Sequence, residues 1–124
     1  MSTCHEWLQY AEEDLTVARL TLREDGPPNQ VCFHSQQIAE KCLKGFLVFS
    51  KIKFDKSHNL IYLHELCVGA NSQVRDLQDD VVYLNRFYIE TRYPGDFPDF
   101  SKKEAEEGYK AAMRVMEYIS ALLN

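Results

Sequence analysis

The chain has 124 residues and a mass of 14.5 kDa, so we expect residues 1–124 to form one domain. Its composition, 45% hydrophobic and 27% charged, is that of a globular protein and excludes disordered and fibrous proteins. The formal net charge of -5 disfavours nucleic-acid binding over the whole surface, and no apolar run is long enough to cross a bilayer. We therefore expect a cytoplasmic protein with no membrane contact.

The first half of the chain predicts two long amphipathic helices. Thr3 and Glu6 form a candidate capping box at the start of the first helix, and the segment "EDGPPN" ends it. The second helix is predicted from about Asn29 to Lys51, and we expect it to be the central one. Its predicted core stripe consists of apolar and small residues at helical spacing: Cys32, Ser35, Ile38, Ala39, Cys42, Phe46 and Phe49.

The second half predicts three further helices. After the connector "KFDKSHN", the stretch "LIYLHELCVGA" predicts a short third helix. A fourth helix is predicted to run to about Thr91, because Pro94 biases the preceding residue away from helical angles. Ser101 and Glu104 form a second candidate capping box before a fifth helix. No long stretch alternates with period two, so we predict an all-α, up-and-down antiparallel bundle of about five helices.

The cysteines and histidines do not show the spacing of a metal site. The four cysteines form no CxxC pair, and three of them lie among apolar residues, which favours small buried thiols over metal ligands or disulfides. No two histidines have the spacing of an HExxH motif. We interpret His58 as a hydrogen-bonding residue at a helix start or in a loop, and His64 as a surface or boundary residue. We therefore expect neither a metal nor a cofactor.

A polar strip on the second helix is the first candidate for a binding site. His34, Gln37, Lys41 and Lys44 follow one another at steps of three, four and three residues, which places them within one narrow arc of the helix. This strip could be the solvated flank of an amphipathic helix, supported by weak pairs from Gln37 to Lys41 and from Glu40 to Lys44. An imidazole, an amide and two ammonium groups could instead bind a phosphate and a base edge together.

The segment "FYIETRYPGDFPDF" supplies the second candidate. Arg92 and Tyr93 lie where the fourth helix is predicted to end. The arginine could cap the last carbonyl groups of that helix, which is favourable by roughly 0.3–1 kcal/mol. It could also present its planar guanidinium to an anionic ligand.

Four segments together resemble the HEPN family, the higher-eukaryote-and-prokaryote nucleotide-binding domain, in its small stand-alone prokaryotic form. They are "WLQYAEEDLTVARL", "CFHSQQIAEKCLKGFLV", "SHNLIYLHEL" and "ETRYP", and they occur in the family's order from Trp7 to Tyr93. The resemblance implies a helical bundle that forms a homodimer and acts with a minimal nucleotidyltransferase as a toxin–antitoxin pair. It also implies a nucleotide or RNA ligand, for which we carry over His34, Lys41, Arg92 and Tyr93.

The chain departs from the family's ribonuclease motif, in which a histidine follows an arginine by a few residues. His64 is the last histidine, so neither Arg86 nor Arg92 is followed by one. We therefore expect a binding protein with weak or absent RNA cleavage. One alternative is a divergent metal-independent ribonuclease toxin that uses Arg92 with His34 or His58. Another is a purely structural interaction subunit.

Overall fold

The computed structural model describes residues 3–88 and 98–124, and these contain helices and connecting segments but no strand. The helices, in chain order, are α1 (Cys4–Arg23), α2 (Pro28–Phe49), α3 (Leu60–Ala70), a 3₁₀ helix (Ser72–Leu77), α4 (Gln78–Asn85) and α5 (Lys102–Leu122). The predicted all-α bundle of about five helices is confirmed.

Local sequence signals fix where α1 and α5 begin. The Thr3 hydroxyl accepts a hydrogen bond from the Glu6 N–H at 3.1 Å, and the Glu6 carboxylate accepts one from the Thr3 N–H at 3.0 Å. Ser101 and Glu104 make the same reciprocal pair at the start of α5. Both predicted capping boxes therefore form, and each satisfies backbone donors that a helix start leaves unpaired.

Helix α2 occupies the centre of the bundle, as predicted, and packs against α1, α3, α4 and α5. Thirteen of its 22 residues are buried, including the polar residues Gln36, Glu40 and Lys44. The assignment of Phe49 to its core stripe is wrong, because this side chain is 50% exposed. Phe49 is the last residue of α2, and the buried stripe of this helix ends before it, at Phe46 and Leu47.

The fourth helix is shorter than predicted and ends at Asn85. After Arg86, two successive backbone N–H groups donate to carbonyls three residues earlier, from Phe87 to Leu84 at 3.1 Å and from Tyr88 to Asn85 at 3.5 Å. Such bonds tighten the chain into a turn in place of another α-helical turn. The rest of the predicted extension, to about Thr91, lies outside the described residues.

Burial confirms the interpretation of the thiols and corrects that of one histidine. Cys32, Cys42 and Cys67 are buried and unpaired, and burial raises the pKa of each thiol to about 12. His64 is not a boundary residue, because it is only 6% exposed. Its Nε2 lies 2.9 Å from the carbonyl oxygen of Val74, so a contact with the following 3₁₀ helix satisfies the ring inside the core.

Candidate functional site

Two buried carboxylates organise the polar residues on and around α2. The first is Asp14 of α1, whose Oδ1 lies 2.8 Å from His34 Nδ1 and whose Oδ2 accepts a hydrogen bond from Lys41 Nζ. Burial raises the pKa of Asp14, but the hydrogen bonds from His34 and Lys41 outweigh burial and hold this pKa below its usual range. Asp14 is therefore ionised at neutral pH and fixes both basic side chains against α1.

The second carboxylate is Glu40 of α2, which is 4% exposed. Lys44 Nζ donates to Oε2 at 3.0 Å, and His58 Nδ1 lies 2.9 Å from Oε1. Gln37 Nε2 approaches Oε1 at 3.4 Å and donates a shorter bond, 2.7 Å, to Gln36 Oε1. A buried carboxylate is costly unless its charge is paired and its oxygens accept hydrogen bonds, and these contacts meet both needs.

Lys44 connects the Glu40 cluster to α1. Its Nζ lies 5.7 Å from the centroid of the Trp7 ring, within the range of a cation–π interaction. Its side chain is also largely buried, and its ammonium contacts Glu40 and Trp7. The ion pair with Glu40 and the contact with Trp7 thus give Lys44 a structural role.

The segment before α3 is tied down around His58. The Gln36 amide donates to the His58 carbonyl oxygen at 3.0 Å, and the Ser57 hydroxyl accepts from the Asn59 N–H at 3.0 Å. Asn85 Oδ1 accepts from the Leu60 N–H at 2.9 Å, which links this segment to the end of α4. The bond to its own carbonyl and the bonds of the two residues that follow therefore hold the backbone around His58, as the prediction of a hydrogen-bonding residue before a helix requires.

The imidazole of His58 is fixed as well as its backbone. Its ring stacks on Tyr88, with centroids 4.7 Å apart and planes inclined by 11°. A carboxylate oxygen accepts hydrogen bonds, so the 2.9 Å contact with Glu40 favours the tautomer that carries a proton on His58 Nδ1. The ring forms one wall of an open pocket of about 460 Å³, which is lined by Lys56, Ser57, His58, Asn59, Asn85 and Tyr88.

The structure distributes the predicted site residues between the two carboxylates. His34 and Lys41 share Asp14, whereas Gln37 and Lys44 contact Glu40. The strip on α2 is therefore neither a bare solvated flank nor a set of unpaired cations. Arg92 and Tyr93 lie outside the described residues, and the binding role of all six predicted residues stays a prediction.

Sequence reasoning predicted the pair of Glu40 with Lys44. It missed Asp14, the contact of Glu40 with His58 and the Tyr88 stack. A signal for Asp14 was present, because it follows Ala11 by three residues and precedes Ala18 by four, within the buried stripe of α1. A carboxylate in such a stripe requires a cationic or hydrogen-bonding partner. No comparable local pattern connects Glu40 to His58, since eighteen residues separate them.

Neither a metal cluster nor a membrane helix was found in the described parts of the chain. Within residues 3–88 and 98–124, no three histidine, cysteine, aspartate or glutamate residues group so that they could hold a metal ion. No helix of the same ranges has the length and apolar character needed to span a membrane.

Comparisons with known proteins agree with this architecture. The family model described as "HEPN domain" matches residues 4–122. A protein of Methanocaldococcus jannaschii named "Putative toxin MJ1304" is 29% identical over 131 aligned residues, which cover 94% of this chain and 86% of that protein. The crystal structure of ST0689, described as an archaeal HEPN homologue, has a TM-score of 0.79, 25% identity and complete coverage of both chains. The crystal structure of TT1696 from Thermus thermophilus has a TM-score of 0.77 and 26% identity, with 98% of each chain covered.

Proposed function

Because this chain belongs to the HEPN domain family, we propose that it is a nucleotide- or RNA-binding protein that acts with a minimal nucleotidyltransferase in a toxin–antitoxin pair. The match to the family over residues 4–122 is the observation that carries the proposal. The name of the Methanocaldococcus relative supports the toxin part, since that relative aligns with 94% of the chain. The nucleotidyltransferase partner rests on the family resemblance.

The proposed ligand contacts are His34, Gln37, Lys41, Lys44, Arg92 and Tyr93. The ion pairs of α2 reduce the charge that two of these residues can offer to a ligand. Asp14 offsets the charge of Lys41, and Glu40 offsets that of Lys44, so neither ammonium contributes a full unpaired charge. We therefore assign the main phosphate contact to Arg92, whose guanidinium can donate two parallel hydrogen bonds to a phosphate.

Calorimetric titration with mononucleotides and short RNA tests this proposal. We expect the parent protein to bind, and Arg92→Lys to bind at least roughly tenfold more weakly, because lysine cannot reproduce the bidentate contact. Lys41→Ala should weaken binding less. Because Lys41 also pairs with Asp14, the melting temperature of each variant is measured alongside.

Two results would contradict the ligand proposal. If both variants bind as the parent does, the proposed residues do not form the site. If the parent binds no ligand and Arg92→Lys changes only the melting temperature, Arg92 is structural. That second result would favour the interaction-subunit alternative.

The partner proposal has its own test. The gene adjacent to the one encoding this chain should encode a small nucleotidyltransferase, and the two proteins should co-purify when they are expressed together. Expression of this chain alone should slow growth, and the partner should relieve that effect. Growth that is unaffected by this chain, together with a partner that does not bind it, would remove the paired-system interpretation.

A divergent ribonuclease toxin remains the second candidate because of one observation. The contact with Glu40 Oε1 favours the tautomer with the proton of His58 on Nδ1, which leaves Nε2 as the nitrogen that can face a substrate. We nevertheless expect weak or absent cleavage of single-stranded and structured RNA by the purified protein in the presence of a chelator. Robust cleavage that is lost in His58→Gln or Arg92→Ala would make the ribonuclease interpretation correct.

A further inference from the structure

We propose that the pocket beside His58 is a separate binding site for a phosphomonoester, such as the phosphate of a nucleoside monophosphate or of a 5′-phosphorylated RNA end. We call it the His58 pocket, and define it by Lys56, Ser57, His58, Asn59, Asn85 and Tyr88. The proposal takes its ligand class from the proposed function. It places that ligand on residues outside the α2 strip.

Hydrogen-bond donors line this pocket. Asn85 uses its Oδ1 to accept from the Leu60 N–H, which leaves its amide NH₂ as a donor. The Ser57 hydroxyl accepts from the Asn59 N–H, so its own proton remains to be donated. Lys56 adds three N–H donors and a positive charge. A phosphate offers mainly acceptor oxygens at neutral pH, so this set of donors matches it.

The charge balance of the pocket also fits an anion. Lys56 is a cation, and the described residues of the lining include no carboxylate. Glu40, the carboxylate that contacts His58, is buried and already paired with Lys44. By contrast, the neighbouring cleft formed by Lys53, Phe54, Asp55 and Tyr62 carries an aspartate that offsets its lysine.

The orientation of His58 adds a surface for the rest of the ligand. The side chain is 53% exposed although Tyr88 covers one face and Glu40 contacts Nδ1. The exposed surface is therefore the opposite face and the edge that carries Nε2. A nucleobase can stack on that face, and Nε2 can hydrogen-bond a ligand. Because Glu40 and Tyr88 already fix the ring, binding costs little ordering of this side chain.

Lys56→Ala is the decisive variant, because Lys56 is exposed and its removal leaves the bonds around His58 in place. Lys53→Ala is the matched control, since it removes the same charge three residues away but outside the pocket. We would titrate both variants and the parent with 5′-AMP, adenosine and inorganic phosphate. A 5′-phosphorylated and a 5′-hydroxyl oligoribonucleotide would distinguish a free nucleotide from an RNA end.

We expect the parent to prefer 5′-AMP over adenosine, and Lys56→Ala to lose at least roughly tenfold in affinity for 5′-AMP while Lys53→Ala binds as the parent does. His58→Gln should also weaken binding. A parent that binds no phosphomonoester overturns the inference. So does binding that is unchanged in Lys56→Ala and His58→Gln but lost in Arg92→Lys, although that result leaves the proposed function intact.

Discussion

Asp14 is a buried side chain that fixes the positions of two predicted ligand residues. A carboxylate that accepts hydrogen bonds from His34 and Lys41 keeps both basic groups at α1. Replacing it removes the partner of a half-buried ammonium as well as that of an imidazole. Because unpaired buried polar groups cost roughly 1–3 kcal/mol, we expect Asp14→Asn to destabilise the protein by about that amount at pH 7.

The pH dependence of stability gives this prediction a definite sign. The pKa of Asp14 in the folded protein lies below its ordinary value of 3.8, so the folded state binds the proton less readily than the unfolded state. Its contribution is therefore fully present at pH values well above 3.8 and is lost as the pH falls through the lower pKa of the folded state.

Thermal melts between pH 7 and pH 3 measure this effect. The melting temperature of the parent should fall more steeply with acidification than that of Asp14→Asn. Asp25→Asn is the control, because Asp25 also has a lowered pKa but is fully exposed beside Lys102, where solvent screens the pair. Equal acid sensitivity of the parent and Asp14→Asn would show that Asp14 is not a major source of pH-dependent stability.

At the level of helices, a glycine of α5 determines how closely α5 approaches the end of α4. A Cβ atom built on Gly108 would lie 2.8 Å from Cε2 of Phe87. The Phe87 ring is buried and packs edge-to-face on Tyr83 and Phe100, at centroid distances of 5.4 and 4.9 Å. Because aromatic rings hold it on both sides, Phe87 has little room to move away.

Two glycine substitutions should therefore have opposite effects on stability. Gly108→Ala gains up to about 1 kcal/mol of helix propensity but forces an overpacked contact that costs about 1–3 kcal/mol, so we expect net destabilisation. Gly69→Ala in α3 meets no atom within 4 Å and should be neutral or stabilising. Denaturant unfolding of both variants tests the pair. A stabilised Gly108→Ala would mean that α5 can shift away from Phe87.

At the scale of the whole molecule, the proposed homodimer should use the outer face of α1. Tyr10, Val17 and Leu20 lie on one side of this helix and are 53%, 42% and 41% exposed. Such apolar positions are stabilised when a second copy covers them, and they supplement the family resemblance as a reason to expect a dimer. Charged residues at the centre of such a face should prevent assembly.

We expect the parent to be a dimer in light scattering at high micromolar concentration, and Val17→Glu to shift it towards a monomer. Val82→Glu is the matched control, because Val82 is similarly exposed, at 49%, but lies on α4. A monomeric parent would contradict the homodimer proposal. A dimer that resists Val17→Glu but dissociates in Val82→Glu would move the interface to α4.

Except for the 3₁₀ helix and the end of α4, the sequence determined the helices, and it also determined both capping boxes, the central position of α2 and the buried thiols. The helices and their caps depend on residues within one or two turns of each other, and the apolar stripe of α2 indicates its burial, so periodicity and capping chemistry are sufficient to predict these features. The resemblance to the HEPN family also followed from segments in order along the chain. The match over residues 4–122 confirms that resemblance.

Only the tertiary structure decided which polar groups meet. Asp14 reaches Lys41 across 27 residues, and Glu40 reaches His58 across 18. His64 is buried, and the carbonyl oxygen of Val74 in the next helix satisfies its ring. Spacing along one helix gives the direction of a side chain but not the helix it faces, because that partner depends on how the whole core packs. The α2 strip was therefore predictable as a set of residues, whereas its division between two carboxylates and the existence of the His58 pocket were not.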